Sequence, residues 1–221
     1  NFTGQKSDSI TSFIIFSLGN EILFRYFQIK LAMIKTEQVV ISTDRLILKS
    51  ITPEIIHEVY STFSKEEVMN YFGFDEVSYS RCLEMHEKGV ETYRTTMFYF
   101  MIISKESNKP IGDCGFHTWD FKHNRAEMFY NLHKDEYKRK GYMTEVMCQV
   151  LNHAFTELKI HRVEALVADW NIASVRLLEH FNFKKEGTMR EDYIVDGKNE
   201  DSDCYSLLKW EWEESLAKKR E

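Results

Sequence analysis

Apolar residues between positions 143 and 158 recur in alternating steps of three and one, the spacing of one face of an amphipathic helix. They are Met143, Val146, Met147, Val150, Leu151, Ala154, Phe155 and Leu158. The chain approaches this helix through an apolar run, 128–130, and then through three consecutive cations and Gly141. This order predicts a strand, a basic turn and a helix N-terminus.

The predicted turn has the chemistry of an anion site. The first amide N–H groups of a helix have no intrahelical acceptor, and the helix dipole is positive at that end. Lys138, Arg139 and Lys140 add charge beside Gly141. A bound phosphate is therefore one interpretation. A solvated basic loop before an ordinary surface helix is the other.

Hydrophobic patterning predicts further elements on both sides of this segment. Strands are expected at 43–50, 97–104, 111–119, 125–132 and 161–167, with short helices from Pro53 to about position 92 and a helix after Asp169. A last hairpin, 189–195 with 204–210, turns at Asp196-Gly197. The fold class is α/β (α+β), a single domain with a mostly antiparallel sheet of about seven strands flanked by helices. Only the strand-helix-strand unit around 143–158 requires parallel pairing.

The first 38 residues differ from the rest of the chain. The apolar run 10–18 is shorter than the roughly 20 residues needed to span a membrane. Because the chain does not begin with Met and Met33 precedes a regular domain start, we expect residues 1–38 to be an extension outside the core fold. An accessory helix that packs on a partner is the alternative. The domain itself is expected at 39–215.

Composition narrows the classes of function. The formal net charge of -6 argues against a general nucleic-acid binder and suits a cationic acceptor. The four cysteines form no Cys-x-x-Cys pair, and the eight histidines form no His-Glu-x-x-His motif, so no metal is proposed. A reducing cytoplasm is the expected location, and neither a membrane nor a nucleic acid is an expected partner. The oligomeric state, monomer or homodimer, is left open.

Several segments together resemble the GNAT superfamily of N-acetyltransferases, in its RimJ/RimL-like branch. The resemblance covers about 43–212. Its segments are Thr43-Asp-Arg-Leu-Ile-Leu, Ala126-Glu127, Tyr137-Lys-Arg-Lys-Gly-Tyr-Met-Thr-Glu145, Asn171-Ile-Ala-Ser174 and Tyr205-Ser-Leu-Leu208. A dinucleotide-binding oxidoreductase is a weaker alternative, because the turn carries one Gly where that fingerprint has three.

The resemblance implies that acetyl-CoA is the co-substrate. Its pyrophosphate would bind the main chain of Lys138, Arg139, Lys140, Gly141, Tyr142, Met143 and Thr144. Pantetheine would lie along Met128, Phe129 and Tyr130 and meet Asn171. Met143 and Phe129 stand where the family usually has small residues, so each could narrow the site; Phe129 could also point away from it.

Acetyl transfer to an amine requires a base for the ammonium and a donor for the leaving thiolate. Glu127 is the candidate base, and its alternative is a structural carboxylate paired with Arg125 or another cation. Ser174 is the candidate donor near the sulfur, and its alternative is a plain surface serine. Asn171 could cap the helix as well as bind pantetheine. The Tyr that many relatives carry four residues after Ser174 is Leu178 here.

The resemblance does not identify the acceptor amine. A peptide or ribosomal-protein N-terminus is our first expectation, and a small amine (a polyamine, amino acid or antibiotic) is the second. A CoA-binding sensor or interaction module without turnover is a third, motivated by Met143 and Phe129. The acidic C-terminal hairpin could attract a cationic acceptor or simply be solvated.

Overall fold

A computed structural model of the chain describes residues 38–88 and 96–218. The expected extension, 1–38, therefore lies outside the described residues except at its last position. The described part forms eight strands, β1 (Val40–Ser42), β2 (Leu46–Ile51), β3 (Thr96–Ser104), β4 (Lys109–Asp120), β5 (Arg125–Leu132), β6 (Arg162–Val167), β7 (Lys184–Val195) and β8 (Lys198–Leu208). Its helices are α1 (Pro53–Thr62), α2 (Lys65–Phe72), α3 (Glu76–Lys88), α4 (Tyr142–Thr156), α5 (Ile172–His180) and α6 (Lys209–Lys218), with a 3-10 turn at Asp135–Tyr137.

All eight strands join one sheet in the order β1-β2-β3-β4-β5-β6-β8-β7. Within the described ranges, β5 and β6 pair in parallel and the other neighbours pair antiparallel. The predicted fold class is thus confirmed. The parallel pair arises because α4 carries the chain from the end of β5 back to the start of β6.

Side chains alternate between the two faces of the sheet and build two hydrophobic cores. On one face, α4 buries Val146, Met147, Val150 and Leu151 against Phe100 and its neighbours. On the other face, α1, α2 and α3 pack on Tyr99, Met101 and Ile103. The sheet is therefore covered on both sides, and its central strands are held rigidly by packing.

The boundaries differ from the sequence prediction at both ends. The three-residue strand β1 was not predicted, because its exposed and half-buried residues show no apolar alternation. The predicted strand 204–210 is wrong beyond Leu208, where α6 begins at Lys209. Trp212 of α6 is buried against Phe155 and Phe181, whereas Trp210 is 48% exposed. Among the helices of the described ranges, none combines the length and apolarity needed to cross a membrane.

Candidate active site

The two parallel strands separate toward their carboxyl ends. β5 and β6 pair only through Arg125–Glu127 and Arg162–Glu164. Beyond these residues β5 remains bonded to β4, and β6 remains bonded to β8. No strand of the described part of the chain fills the gap between them, so the main chain of Met128–Leu132 faces an open slot.

Two cavities occupy this slot and meet at its centre. The first, which we call the basic cavity, has a volume of about 650 Å³ and is lined by the turn 138–144 except Lys140, by the end of β5 and by the start of α5. The second, the acidic cavity, measures about 480 Å³ and is lined by β5, β6 and the β7–β8 hairpin. Tyr130, Asn171 and Ser174 line both. A larger cavity of about 850 Å³ lies beside α2, and none of the predicted site residues lines it.

The basic cavity contains the predicted anion-binding turn. Gly141 is the residue that precedes the 15-residue helix α4, and it has a left-handed conformation (φ 76°). Because glycine has no side chain, it cannot cap that helix end. The first amides of α4 are thus available to an acceptor. Lys138 and Arg139 line the cavity, although Lys138 also pairs with Asp135 at 2.7 Å. Lys140 is exposed and does not line it.

Met143 and Phe129, the bulky residues at positions where the family usually has small ones, line different cavities. Met143 lines the basic cavity and is half-buried against the core beneath α4. Phe129 lines the acidic cavity instead, on the opposite face of the sheet. Its ring stacks on His117 with centroids 5.6 Å apart and packs on Tyr99 at 5.8 Å. Phe129 therefore does not narrow the basic cavity.

Glu127 lies in the acidic cavity, and the pKa of its carboxyl is raised. Burial is the main cause, followed by the negative charges of Glu164 and Asp192. The side chain is 23% exposed, and its Oε2 lies 3.8 Å from His117 Nδ1. Burial also lowers the pKa of His117, which favours its neutral form. Glu127 therefore lies in a setting that favours acceptance of a proton.

The alternative pairing of Glu127 with Arg125 is wrong. The Arg125 guanidinium contacts Glu164 across the parallel pair, with Nη1 3.2 Å from Oε1. Arg162 Nε donates to the same carboxylate at 2.7 Å and also binds Glu186. The hydrogen bonds from Arg162 and Ser206 lower the pKa of Glu186 to about 2. These cations are thus committed to other carboxylates.

At the junction of the cavities, Asn171 and Ser174 form the start of α5. Asn171 Oδ1 accepts a hydrogen bond from the Ser174 amide at 3.3 Å, which confirms its predicted role as helix cap. The Ser174 side chain lies near the hydroxyl of Tyr130. Burial raises the pKa of Tyr130, and the nearby Ser174 side chain opposes that rise. Tyr130 therefore remains protonated at neutral pH.

Part of this site could not be found from the sequence. His117 joins the acidic cavity because β4 places it opposite Glu127 on β5. The acidic hairpin was expected to attract a cationic acceptor, but the sequence does not show that Asp192 is its member that lines the cavity. A bulge between Met189 and Tyr193 inserts extra residues into β7, and Glu191 at its centre has φ 54°. Such bulges redirect side chains, but no apolar period marks them in a sequence. The hydroxyl of Tyr130 is also not predicted, because the family resemblance points only to the main chain of this residue.

Comparisons with known proteins agree with this geometry. Residues 45–184 match the model of the acetyltransferase (GNAT) domain. The uncharacterized N-acetyltransferase YoaA of Bacillus subtilis is 33% identical over 172 residues, which cover 77% of this chain and 97% of that protein.

Two solved structures share the fold at low sequence identity. One is the ribosomal-protein-S5-alanine acetyltransferase of Vibrio fischeri, with a TM-score of 0.57, 20% identity and coverage of 79% of this chain and 98% of that chain. The other is the spermidine N-acetyltransferase of Vibrio cholerae in complex with CoA and spermine, with a TM-score of 0.58, 19% identity and coverage of 77% and 99%. Together with the family match, the separated parallel strands and the uncapped helix end, these findings show that the chain belongs to the GNAT acetyltransferase family.

Proposed function

We propose that the protein is an acetyl-CoA-dependent N-acetyltransferase of the RimJ/RimL-like branch, which transfers an acetyl group to a primary amine. The observation that carries this proposal is the meeting of two cavities of opposite charge inside the gap between β5 and β6. Lys138, Arg139 and the first turn of α4 favour an anionic co-substrate on one side. Glu127 and Asp192 favour a cationic acceptor on the other, and no Lys or Arg is among the described residues that line that cavity.

The charge of the basic cavity and its place along β5 support acetyl-CoA as the co-substrate. Its pyrophosphate would accept hydrogen bonds from the amides of 141–144, and pantetheine would extend along the unpaired edge of Tyr130 and Asn131. Asn171 and Ser174 would then lie beside the thioester. This arrangement delivers the acetyl carbonyl to the junction where the acidic cavity begins.

The acceptor arrives as an ammonium ion and must lose a proton before it attacks. Glu127 takes that proton, directly or through water, because burial and neighbouring carboxylates raise its pKa. The neutral nitrogen then attacks the thioester carbonyl, and main-chain N–H groups near Met128–Tyr130 stabilise the oxyanion. As the carbon–sulfur bond breaks, Tyr130 transfers its proton to the departing sulfur, and Ser174 donates a hydrogen bond to it. The Tyr130 phenolate then takes up the second proton, which the new amide nitrogen releases.

The relatives and the acidic cavity support more than one class of acceptor. A peptide or ribosomal-protein N-terminus is our first proposal, in line with the Vibrio fischeri enzyme. A small amine such as a polyamine is the second, because the acidic cavity would also suit the substrate of the Vibrio cholerae enzyme. A CoA-binding module without turnover is the third. The placement of Phe129 outside the basic cavity removes one of the two reasons for it.

Calorimetric titration with acetyl-CoA, followed by thiol-release assays on the same sample, tests the proposal. The acceptor panel comprises peptides with a free N-terminus, spermidine and aminoglycosides, with N-acetylated peptides as the matched negative control. Binding with turnover on one amine class is the expected result. Binding without turnover on the panel would favour the non-catalytic module, and absence of binding would refute the proposed function.

The Tyr130→Phe variant is expected to lower kcat by about 10²-fold, the low end of the range for general acid–base catalysis, while acetyl-CoA affinity changes less than about twofold. The change removes the hydroxyl at the junction but keeps the ring that packs against the core. Its signature is dependence on the leaving group. With an acetyl aryl thioester, whose thiol is acidic and leaves without a proton, both enzymes should react at similar rates.

Tyr79→Phe is the matched control, because Tyr79 lies on α3 and lines neither cavity. It should leave both donors unaffected. An equal loss of rate with both donors in the Tyr130→Phe enzyme would show that Tyr130 has only a structural role.

A further inference from the structure

The turn between β1 and β2 contacts the anion-binding turn although the two are about 100 residues apart in sequence. Glu145, in the first turn of α4, accepts hydrogen bonds on both carboxylate oxygens. Its Oε1 accepts from the Thr43 hydroxyl and from the Arg45 amide at 3.0 Å, and its Oε2 accepts from Arg45 Nε at 2.7 Å. Burial disfavours the ionised form of Glu145, but these bonds outweigh it and lower its pKa. The carboxylate is therefore a fixed, charged anchor.

The same guanidinium also holds the main chain of the basic turn. Arg45 Nη1 donates to the Lys140 carbonyl at 2.9 Å, and its Cζ lies 4.6 Å from the centre of the Tyr142 ring. Arg45 thus contacts the residues on both sides of Gly141. A planar fork can make these bonds simultaneously, whereas the ammonium of a lysine cannot.

The bond to the Lys140 carbonyl has a geometric consequence for Gly141. In a trans peptide the carbonyl and the following N–H point in opposite directions. Since the Lys140 carbonyl faces Arg45, the Gly141 N–H faces away from it. Gly141 has left-handed φ and lacks a Cβ, so its own conformation is weakly restrained. An external contact is needed to keep this peptide in one orientation.

We propose that Arg45 and Glu145 are positioning residues for acetyl-CoA, which hold the 140–141 peptide so that its N–H is directed at the pyrophosphate. The effect is one of orientation, because the charge of Glu145 offsets that of Arg45. This inference rests on the proposed function. It means that the anion site is also supported by the turn between β1 and β2, at one edge of the sheet.

The test compares Arg45→Gln with Arg45→Lys, using acetyl-CoA and acetyl-pantetheine, which lacks the nucleotide phosphates. Both variants should bind acetyl-CoA about tenfold or more weakly, the effect of losing one hydrogen bond to a charged group. With acetyl-pantetheine as donor, kcat/KM should remain within about twofold of wild type. Hydrogen exchange at the amides of 141–144 should be faster in both variants without ligand.

Glu145→Gln provides a second, independent variant. It keeps an oxygen for Thr43 but loses the ion pair, so it should weaken acetyl-CoA binding in the same direction. Adding Arg45→Gln to the Glu145→Gln variant should weaken acetyl-CoA binding by a smaller factor than Arg45→Gln does in the wild-type protein, because the two residues act as one unit. The melting temperature should change little in the two Arg45 variants, since Arg45 is 47% exposed and such ion pairs stabilise folding weakly.

Two results would overturn the inference while leaving the proposed function intact. Wild-type affinity in Arg45→Lys would show that charge, and not the orientation of the turn, is what matters. If the Arg45 variants lost as much activity with acetyl-pantetheine as with acetyl-CoA, the substitutions would have damaged the site in general. If the wild-type protein does not bind acetyl-CoA at all, both the function and this inference are refuted.

Discussion

Replacement of Glu127 by Gln is expected to lower kcat/KM at pH 7 by about 10²- to 10⁴-fold, the range for loss of a general base. The amide has the same shape, but it cannot take the proton of the acceptor ammonium. Acetyl-CoA affinity should not change, because Glu127 lines only the acidic cavity. Steady-state rates and calorimetry on the same preparation separate these two effects. Glu106→Gln, an exposed change in the β3–β4 turn, is the matched control.

The pH dependence of the activity is a second test of the same variant. The base works only when ionised, so activity falls as the pH drops through the pKa of Glu127. Because burial and the charges of Glu164 and Asp192 raise that pKa, the acid limb should lie at higher pH than for an exposed carboxyl. The limb should disappear in Glu127→Gln. An unchanged rate and pH profile would exclude Glu127 as the base.

At pH 7, Glu127→Gln should raise the stability of the protein although it lowers the activity. A carboxyl with a raised pKa in the folded state contributes stability below its unfolded pKa and loses it as the pH rises through the folded value. Ionised Glu127 therefore costs stability at pH 7, and Glu127→Gln should melt at a higher temperature than wild type there. The difference should shrink at low pH. A variant that loses both stability and activity would instead indicate a structural carboxylate.

Gly141→Glu is expected to abolish acetyl-CoA binding. A carboxylate at roughly 4 Å from a phosphate charge weakens binding by about 1 kcal/mol in bulk water and by about 4 kcal/mol near a protein surface. These energies correspond to losses in affinity of about 5-fold and about 1000-fold. The new side chain also stands between the α4 amides and the ligand. Calorimetric titration measures the loss directly.

Gly197→Glu is the matched control for this change. Gly197 has φ 77°, nearly that of Gly141 (φ 76°), and a Cβ placed there meets nothing within 4 Å. Both variants therefore carry the same left-handed strain and the same added charge. Only Gly141→Glu should lose acetyl-CoA binding. If both variants or neither variant lose it, the anion site is not where we place it.

Much of this molecule follows from the linear sequence. The three-and-one spacing from Met143 onward is visible because a helix returns to the same face every 3.6 residues, and α4 buries that face. The left-handed turn at Asp196-Gly197 and the cap at Asn171 depend on neighbouring residues only. The basic turn before α4 was likewise predicted, since three cations, a glycine and a helix start are adjacent in the chain. Helices, turns and caps depend on residues that are adjacent or regularly spaced in the chain, so they can be predicted from the sequence alone.

The site itself is assembled by contacts between distant segments. The pairing of Arg125 with Glu164 leaves Glu127 without that cation, and a bulge in β7 brings Asp192 close to it. Strand register decides these neighbours, and it is set by the packing of the whole sheet against two layers of helices. The contact of Arg45 with Glu145 has the same origin, because the β1–β2 turn and α4 are brought together by the tertiary structure. The sequence by itself determined the elements and the residue types, whereas tertiary packing decided which charges meet and which remain free to act.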